Sequence, residues 1–271
     1  MKKALLYLDE DLASSMALRF AADQARQLDM VLQAFHVVAQ ASGASEQMGW
    51  VNRSLEKVQL AAGADKVNRL VRTENIAYPK AGEPRIALGD KDQEVIRELA
   101  AGEYSLYVEG CLASQETPAD FARFLAGERL RQATCPLLLV KNLVDQAHLL
   151  LLLYRAMDTD RLVSSLSALY GPAAADIDLT VLLYRQSDGQ ELVFQERRKN
   201  DAVLNRAGAM LAEYGWSEPE WLVVQGPPDK TAEYMLGHGL VATTFPEPDS
   251  PGAAFLGHLA NPVLLFPEER R

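Results

Sequence analysis

Two short groups of residues that could do chemistry follow apolar runs of the sequence. The acidic run 9–11 follows the apolar run 4–8, and Gly110 and Cys111 follow the apolar run 106–108. Carboxylates can hold Mg²⁺, a glycine lets backbone N–H groups approach a phosphate, and a thiol beside a helix N-terminus can become reactive. The acids and the cysteine also have plainer interpretations, which we favour: a solvated loop that begins a helix, and a packed side chain.

The rest of the sequence contains no recognisable catalytic or metal-binding arrangement. Ser14 and Ser15 have no histidine near them in the sequence, and no Gly-x-Ser-x-Gly motif occurs. Cys111 and Cys135 do not form a Cys-x-x-Cys pair. The histidines are scattered, without the spacing of metal ligands: His36, His148, His238 and His258. We therefore predict that the protein is not an enzyme and has no metal site.

The composition is that of an acidic globular protein. The chain has 271 residues and a net charge of -10, and 48% of its residues are hydrophobic. The negative charge disfavours nucleic acid and anionic membranes as partners. The longest apolar run, 147–154, is far shorter than the roughly 20 residues that cross a bilayer, and the run 4–8 is too short for a signal peptide. With two cysteines and no secretion signal, we expect a cytoplasmic protein.

Strand-like and helix-like segments alternate through the first half of the chain. Short apolar runs that fit buried strands, such as 4–8 and 31–38, are separated by segments with helical periodicity, such as 12–28 and 51–71. Strict alternation of this kind predicts a parallel sheet with helices on both faces.

The second half of the chain repeats the same order of elements. Cys135-Pro136 precedes the last apolar run of the first half, and Asn261-Pro262 precedes the last apolar run of the second half. Two copies of one unit explain the length of the chain. We predict two tandem domains, 1–143 and 144–271. The second half is also predicted to contain a long helix over 196–214.

Several segments of the first repeat resemble the universal stress protein family, and the repeat suggests its tandem two-domain form. They match the family's first strand and helix, its second strand, the segment after its third strand and its C-terminal ending: 6–21, 34–38, 89–100 and 130–136. Lys91 stands where that family usually has proline. The resemblance implies an α/β fold class with two tandem flavodoxin-like (adenine nucleotide alpha hydrolase-like) domains. Each would be a mostly parallel five-stranded sheet with helices on both faces and any ligand at the carboxyl ends of the strands.

Many universal stress proteins hold the phosphates of ATP with the pattern Gly-x2-Gly-x9-Gly-Ser/Thr, and the first repeat keeps its spacing but not its residues. Gly110 matches the first glycine, whereas Ala113, Arg123 and Phe124 replace the other three positions. Phe124 offers no hydroxyl, and Arg123 is bulky where a glycine made room. Acidic residues nearby, including Glu109, are expected to disfavour a triphosphate. We therefore predict no cofactor and a lost ATP-binding loop.

Three functions remain open at this stage. The first is a non-enzymatic stress-response protein that acts by dimerisation or through an unknown protein partner. The second is a sensor that binds AMP or ATP in the first domain, through a residual pocket: Asp9, Val37, Gly110, Ala113 and Arg123. The third is a weak nucleotide hydrolase, which the degenerate loop argues against.

The last strands of the two repeats are expected to pair with each other. Residues 137–140 and 263–266 are apolar throughout, without the lysine or proline that protects an exposed edge strand. Members of the resembled family form dimers through their last strand, so a tandem chain can build that pair internally as a pseudo-dimer, and a homodimer of the whole chain is also possible.

Overall fold

A computed structural model describes the following parts of the chain: residues 1–39, 49–112, 117–154, 157–187, 189–195, 201–247 and 250–267. Two compact units are present. The first comprises Met1–Gly110 and Glu128–Cys135, and the second comprises Cys111–Gly127 and Pro136–Arg271. The second unit therefore contains the whole second repeat together with one helix and one strand of the first.

The strands, in chain order, are β1 (Lys2–Tyr7), β2 (Met30–Val38), β3 (Arg85–Leu88), β4 (Leu106–Gly110), β5 (Leu137–Val140), β6 (His148–Tyr154), β7 (Asp178–Gln186), β8 (Val193–Gln195), β9 (Glu220–Gly226), β10 (Leu240–Thr244) and β11 (Val263–Phe266). The α-helices are α1 (Leu12–Gln27), α2 (Gly49–Glu74), α3 (Lys91–Ala101), α4 (Pro118–Ala126), α5 (Glu128–Arg131), α6 (Thr159–Tyr170), α7 (Ala202–Glu213), α8 (Pro228–Tyr234) and α9 (Pro251–His258).

The first unit is built on four parallel strands in the order β3-β2-β1-β4. Helices α1 and α2 contact each other, as do α3 and α5, and right-handed crossovers place the first pair on one face of the sheet and the second pair on the other. Side chains from both layers fill the core, among them Leu5, Phe20 and Phe35, none of which is more than 2% exposed.

Two helices of the first unit begin where their sequences provide a cap. The Asp11 carboxylate accepts from the Ser14 N–H at 2.7 Å and begins α1. Asp90 accepts in the same way from the Gln93 N–H and begins α3. Gly89, just before that cap, has φ +147°, a backbone conformation that favours glycine.

The second unit contains the complete second repeat. Its strands β9, β7, β6, β10 and β11 lie parallel in that order, which repeats the order of β3, β2, β1 and β4 and adds a fifth strand. Two antiparallel strands extend this sheet, β8 beside β9 and β5 beside β11. Helices α6 and α7 contact each other, and α9 contacts both α4 and α8.

The predicted pairing of the two last strands is confirmed. Strands β5 and β11 are antiparallel, and Leu138 lies opposite Leu264. Both leucines are almost fully buried, so each strand covers the apolar edge of the other.

A buried lysine connects β5 with α9. Lys141 follows β5, and its Nζ donates to the Leu256 carbonyl at 3.2 Å and to the Leu259 carbonyl. The same ammonium lies 3.7 Å from the centre of the Phe121 ring in α4. Because a cation is favourable at a helix C-terminus and over an aromatic face, Lys141 holds these first-repeat elements within the second unit.

The predicted α/β fold class is confirmed, with two differences in detail. The fifth strand of the first repeat, β5, belongs to the second unit, so the first unit has four strands in its sheet. The long helix predicted over 196–214 is shorter: α7 begins at Ala202, capped by Asp201, and β8 precedes it. Residues 196–200 lie outside the described residues.

In the part of the chain that is described, no helix is long and apolar enough to cross a membrane.

Candidate functional site

The crevice of the first unit lies at the carboxyl ends of β1 and β4. The strand order reverses between these neighbours, because β2 and β3 lie on one side of β1 and β4 lies on the other. In open parallel sheets this is where ligands bind. Asp9 follows β1 and Gly110 ends β4, so the structure places two of the predicted site residues at this crevice.

Asp9 is half-buried, and its carboxylate accepts a hydrogen bond from the next residue of the chain. Its side chain is 44% exposed, and Oδ1 accepts from the Glu10 N–H at 2.8 Å. The Asp9 N–H donates to the Ser14 hydroxyl oxygen at 2.7 Å. The buried His36 ring lies beside it, with Nδ1 3.9 Å from Asp9 Oδ1 and 2.8 Å from the Leu8 carbonyl oxygen, to which it donates. Asp9 is therefore fixed in the turn and still partly open to solvent.

The other two acids of the run 9–11 have separate partners. Glu10 pairs with Arg69, with Oε1 3.2 Å from Nε, and Asp11 caps α1. Within the described residues, no group of three or more His, Cys, Asp or Glu side chains could hold a metal ion. The arrangement agrees with the interpretation of this run as a loop that begins a helix.

Val37 lies within β2, paired with Ala87 of β3, and its side chain is only 7% exposed. The side chain therefore contributes to the core of the first unit, and only its backbone could face a ligand.

Gly110 is needed for packing, whatever it binds. A Cβ atom at this position would lie 2.1 Å from the Ala13 carbonyl oxygen and 2.3 Å from its carbonyl carbon. The first turn of α1 thus packs directly on the end of β4, and no side chain fits between them. The surviving glycine of the phosphate-loop pattern has a structural reason that is independent of phosphate.

A buried network of charges occupies the same strand end. Glu109 is 3% exposed, and its Oε1 lies 2.7 Å from Lys91 Nζ. Its Oε2 lies 3.1 Å from Arg129 Nη2 and accepts from the Tyr107 hydroxyl at 2.9 Å. The predicted repulsion between Glu109 and a phosphate is therefore wrong, because two cations neutralise this carboxylate.

The rest of the network holds those two cations in place. Arg129 Nη1 lies 2.9 Å from Asp92 Oδ1, and Lys91 Nζ lies 4.0 Å from the centre of the Tyr7 ring. Burial alone would lower the pKa of Arg129, but Glu109 and the other acidic groups nearby raise it above its usual value. Burial also raises the pKa of Tyr7, so the phenol is neutral. The network was not predicted from the sequence, although Lys91 was a signal, because the family that the sequence resembles usually has proline at this position.

Two further positions of the phosphate-loop pattern, Arg123 and Phe124, belong to the second unit. Arg123 lies on α4 in the second unit, with a side chain that is 78% exposed and paired with Asp120 on the same helix. Phe124 is half-buried, and its ring centre lies 6.1 Å from that of Phe121. Ala113 lies outside the described residues. Helix α4 begins with a capping box between Thr117 and Asp120.

Both cysteines are buried. Cys111 is 6% exposed and Cys135 is 4% exposed. Burial raises the pKa of Cys135 to about 12, so its thiol is protonated at neutral pH. The limited exposure of Cys111 favours the packed interpretation of this residue over the redox one.

Comparison with known proteins shows the fold. The chain resembles a universal stress protein from Archaeoglobus fulgidus, with a TM-score of 0.62, 14% identity and coverage of 98% of this chain and 96% of that one. It also resembles a putative universal stress protein from Pseudomonas aeruginosa, with a TM-score of 0.53, 17% identity and coverage of 98% and 93%. A functionally unknown protein from the same organism gives a TM-score of 0.52 at 16% identity, covering 98% and 92%.

Sequence comparison adds nothing to this likeness, since no family model matches the chain and no curated protein matches it. The resemblance to universal stress proteins inferred from the sequence is thus confirmed at the level of the fold. The chain has a tandem α/β architecture, which it shares with the solved structures that match it over nearly its whole length.

Proposed function

We propose that this chain is a non-enzymatic stress-response protein of the universal stress protein type, in which the ATP-binding loop of the first repeat has been lost. The observation that supports this most strongly is the buried position of Glu109 between Lys91 and Arg129. A nucleotide phosphate at this strand end would need cations that are free to bind it. Here the two cations are already neutralised, and replacing their buried partner with a solvated phosphate would cost desolvation energy.

The close packing of the Ala13 carbonyl group on Gly110 supports the same proposal. In a phosphate loop, glycine leaves room for an anion to approach the backbone. In this chain a side chain at position 110 would collide with the first turn of α1, because a Cβ atom there would lie 2.1 Å from the Ala13 carbonyl oxygen. The glycine therefore serves helix–strand packing.

Without nucleotide chemistry, the protein would act through contacts with itself or with a protein partner. The antiparallel pairing of Leu138 with Leu264 supports an internal pairing of the two repeats through their last strands. We propose that this pair replaces, within one chain, the pairing that single-domain members make between two chains.

The alternative is an adenine-nucleotide sensor that uses the first repeat. Its support is the partly exposed Asp9 carboxylate at the end of β1, which could hold the nucleoside end of a ligand. AMP fits this alternative better than ATP, because it brings less negative charge to a crevice where Lys91 and Arg129 are already paired.

Small molecules released from the natively purified protein separate the two proposals. The proteins would be denatured in organic solvent and the supernatant analysed by mass spectrometry, with the Asp9→Ala variant as the matched control. The lost-site proposal predicts no adenine nucleotide from either protein. Stoichiometric AMP or ATP from the parent, absent from Asp9→Ala, would establish the sensor. Nucleotide turnover that disappears in Asp9→Ala would show that the protein is an enzyme.

A further inference from the structure

A cavity of about 880 Å³ opens at the carboxyl ends of the second repeat's strands. All of its described lining residues belong to the second unit. They come from the ends of β6, β7 and β9, from Met157 between β6 and α6, from the residues after β10, from the start of α7 and from α9. The strand order of this repeat reverses between β6 and β10, so the cavity lies where open parallel sheets bind ligands. Its volume is within the usual range of small-molecule sites, about 300–1,000 Å³.

Aromatic rings form much of the wall: Tyr154, Tyr184, Phe245 and Phe255. Tyr184 and Phe255 are stacked, with ring centres 4.5 Å apart and planes 25° apart. The polar ends of the tyrosines are already engaged, since the Tyr184 hydroxyl donates to the Gly226 carbonyl at 3.2 Å and the Tyr154 hydroxyl lies 3.2 Å from Thr244 Oγ1. Tyr184 and Phe255 are only 4% and 1% exposed, so the ring surface open to a ligand comes from the half-buried Tyr154 and Phe245. That surface suits a planar aromatic ligand.

The described charged residues of the lining are one arginine and two acids. Arg185 is held on both sides, with Nη2 3.1 Å from Asp201 Oδ2 and Nη1 3.2 Å from Gln195 Oε1. Asp201 is mostly buried and also caps α7. The arginine charge is thus neutralised and fixed, which leaves it poorly suited to bind a phosphate.

Glu247 is the remaining charge of the described lining. It is exposed, and within the described residues no ion pair is formed by its carboxylate. Tyr184 adds no negative charge at neutral pH, because burial and, to a smaller extent, Asp229 raise its pKa to about 12. An exposed carboxylate that has no ion-pair partner among the described residues, at a cavity lined by aromatic rings, attracts a cation and repels a phosphate.

We propose that this cavity is a binding site for a planar aromatic molecule that is neutral or carries one positive charge, and that it rejects phosphorylated nucleotides. The proposal goes beyond the function proposed above, which concerns the first repeat, and it assigns a ligand class to the second repeat. Stacking supplies the attraction for the ring, and Glu247 selects the charge.

Three probes with the same ring test the proposal on the full chain: indole, tryptamine and indole-3-propionate, which are neutral, cationic and anionic at neutral pH. Binding would be measured by calorimetry and by saturation-transfer NMR. We expect tryptamine to bind at least fivefold more tightly than indole-3-propionate, with indole between them. ATP should not displace tryptamine.

Two variants locate the binding. Glu247→Gln should remove the preference of tryptamine over indole and leave indole binding unchanged. The matched control is Glu213→Gln at the other end of α7, roughly 18 Å from Asp201 along the helix, which should change nothing. Gly252→Leu should weaken all three probes, because a Cβ there already lies 3.4 Å from Tyr154 Cζ and a larger side chain would fill the space. Circular dichroism would verify that this variant is folded.

Several results would overturn the proposal. One is that no probe binds at millimolar concentration. Another is that indole-3-propionate or ATP competes for the site as well as tryptamine does. A third is that Glu247→Gln keeps the preference for the cation. ATP binding that tryptamine does not displace would instead contradict the proposal for the first repeat and leave this one standing.

Discussion

Lys91 Nζ lies 2.7 Å from Glu109 Oε1. This ion pair joins the first residue of α3 to the penultimate residue of β4. The two positions are far apart in the sequence and meet only because the parallel sheet brings the start of α3 to the end of β4. The carboxylate that the lysine meets is buried. The end of β4 in the first repeat therefore carries a network of paired charges, and the sequence that follows lacks the later glycines of the phosphate-loop pattern.

Replacing Glu109 with alanine should destabilise the first unit by about 3–5 kcal/mol, because it leaves the guanidinium of Arg129 buried without its main partner. Asp92 remains on the other side of Arg129, so we expect the lower end of this range. The free energy of unfolding would be measured by urea denaturation with circular dichroism. Glu233→Ala, which removes one partner of an exposed pair with Lys230, is the control and should cost less than about 1 kcal/mol. Equal effects of the two variants would contradict the network.

Gly110→Ala should destabilise the protein even when no nucleotide is present. The new Cβ would overlap the Ala13 carbonyl group, so either α1 or β4 must shift, at a cost of about 1–3 kcal/mol. Gly82→Ala is the matched control, since a Cβ at position 82 meets nothing within 4 Å. The melting temperatures of both variants would be measured. If Gly110→Ala and Gly82→Ala unfold at the same temperature, α1 does not pack closely on β4.

The double variant Leu138→Lys with Leu264→Lys should unfold or aggregate. The two side chains lie opposite each other on β5 and β11, where two buried like charges cannot be accommodated. Leu138→Met with Leu264→Met keeps the volume and should cost less than about 1.5 kcal/mol for each change. Analytical ultracentrifugation and melting curves would show the difference. A lysine variant as compact and as stable as the parent would mean that these strands do not pair.

Cys135 should make the protein less stable in alkali. Burial raises the pKa of its thiol to about 12 from an ordinary 9.0. The stability that the protonated thiol contributes is therefore fully present below the pKa of the unfolded chain, and it is lost as the pH rises through the pKa of the folded chain. Between these values the unfolded chain releases a proton that the folded chain keeps. We expect the urea midpoint to fall less between neutral pH and pH 10 in Cys135→Ala than in the parent. An identical fall in both proteins would show that this thiol is not buried.

The order of strands and helices was predictable because it depends on local periodicity. The apolar run 4–8 became β1, the run 106–108 became β4, and the segment 12–28 with helical periodicity became α1. The interactions that decide the site were not predictable in this way. Glu109 and Arg129 are distant in sequence, so the charge of Glu109 was interpreted as repulsive when it is in fact neutralised. Strand β8 was not predicted for a similar reason. Its three residues are too few to show a strand pattern, and the strand is defined by its backbone pairing with β9.

The most direct test of the central claim is calorimetry of the full-length protein with Mg²⁺ and ATP at physiological concentrations. We expect no heat beyond dilution, because Lys91 and Arg129 are paired with Glu109 and Asp92 and the first turn of α1 packs against Gly110. The Asp9→Ala variant serves as the baseline and should behave identically to the parent. Micromolar affinity for ATP in the parent, lost in Asp9→Ala, would show that the first repeat still binds nucleotide and that the claim is wrong.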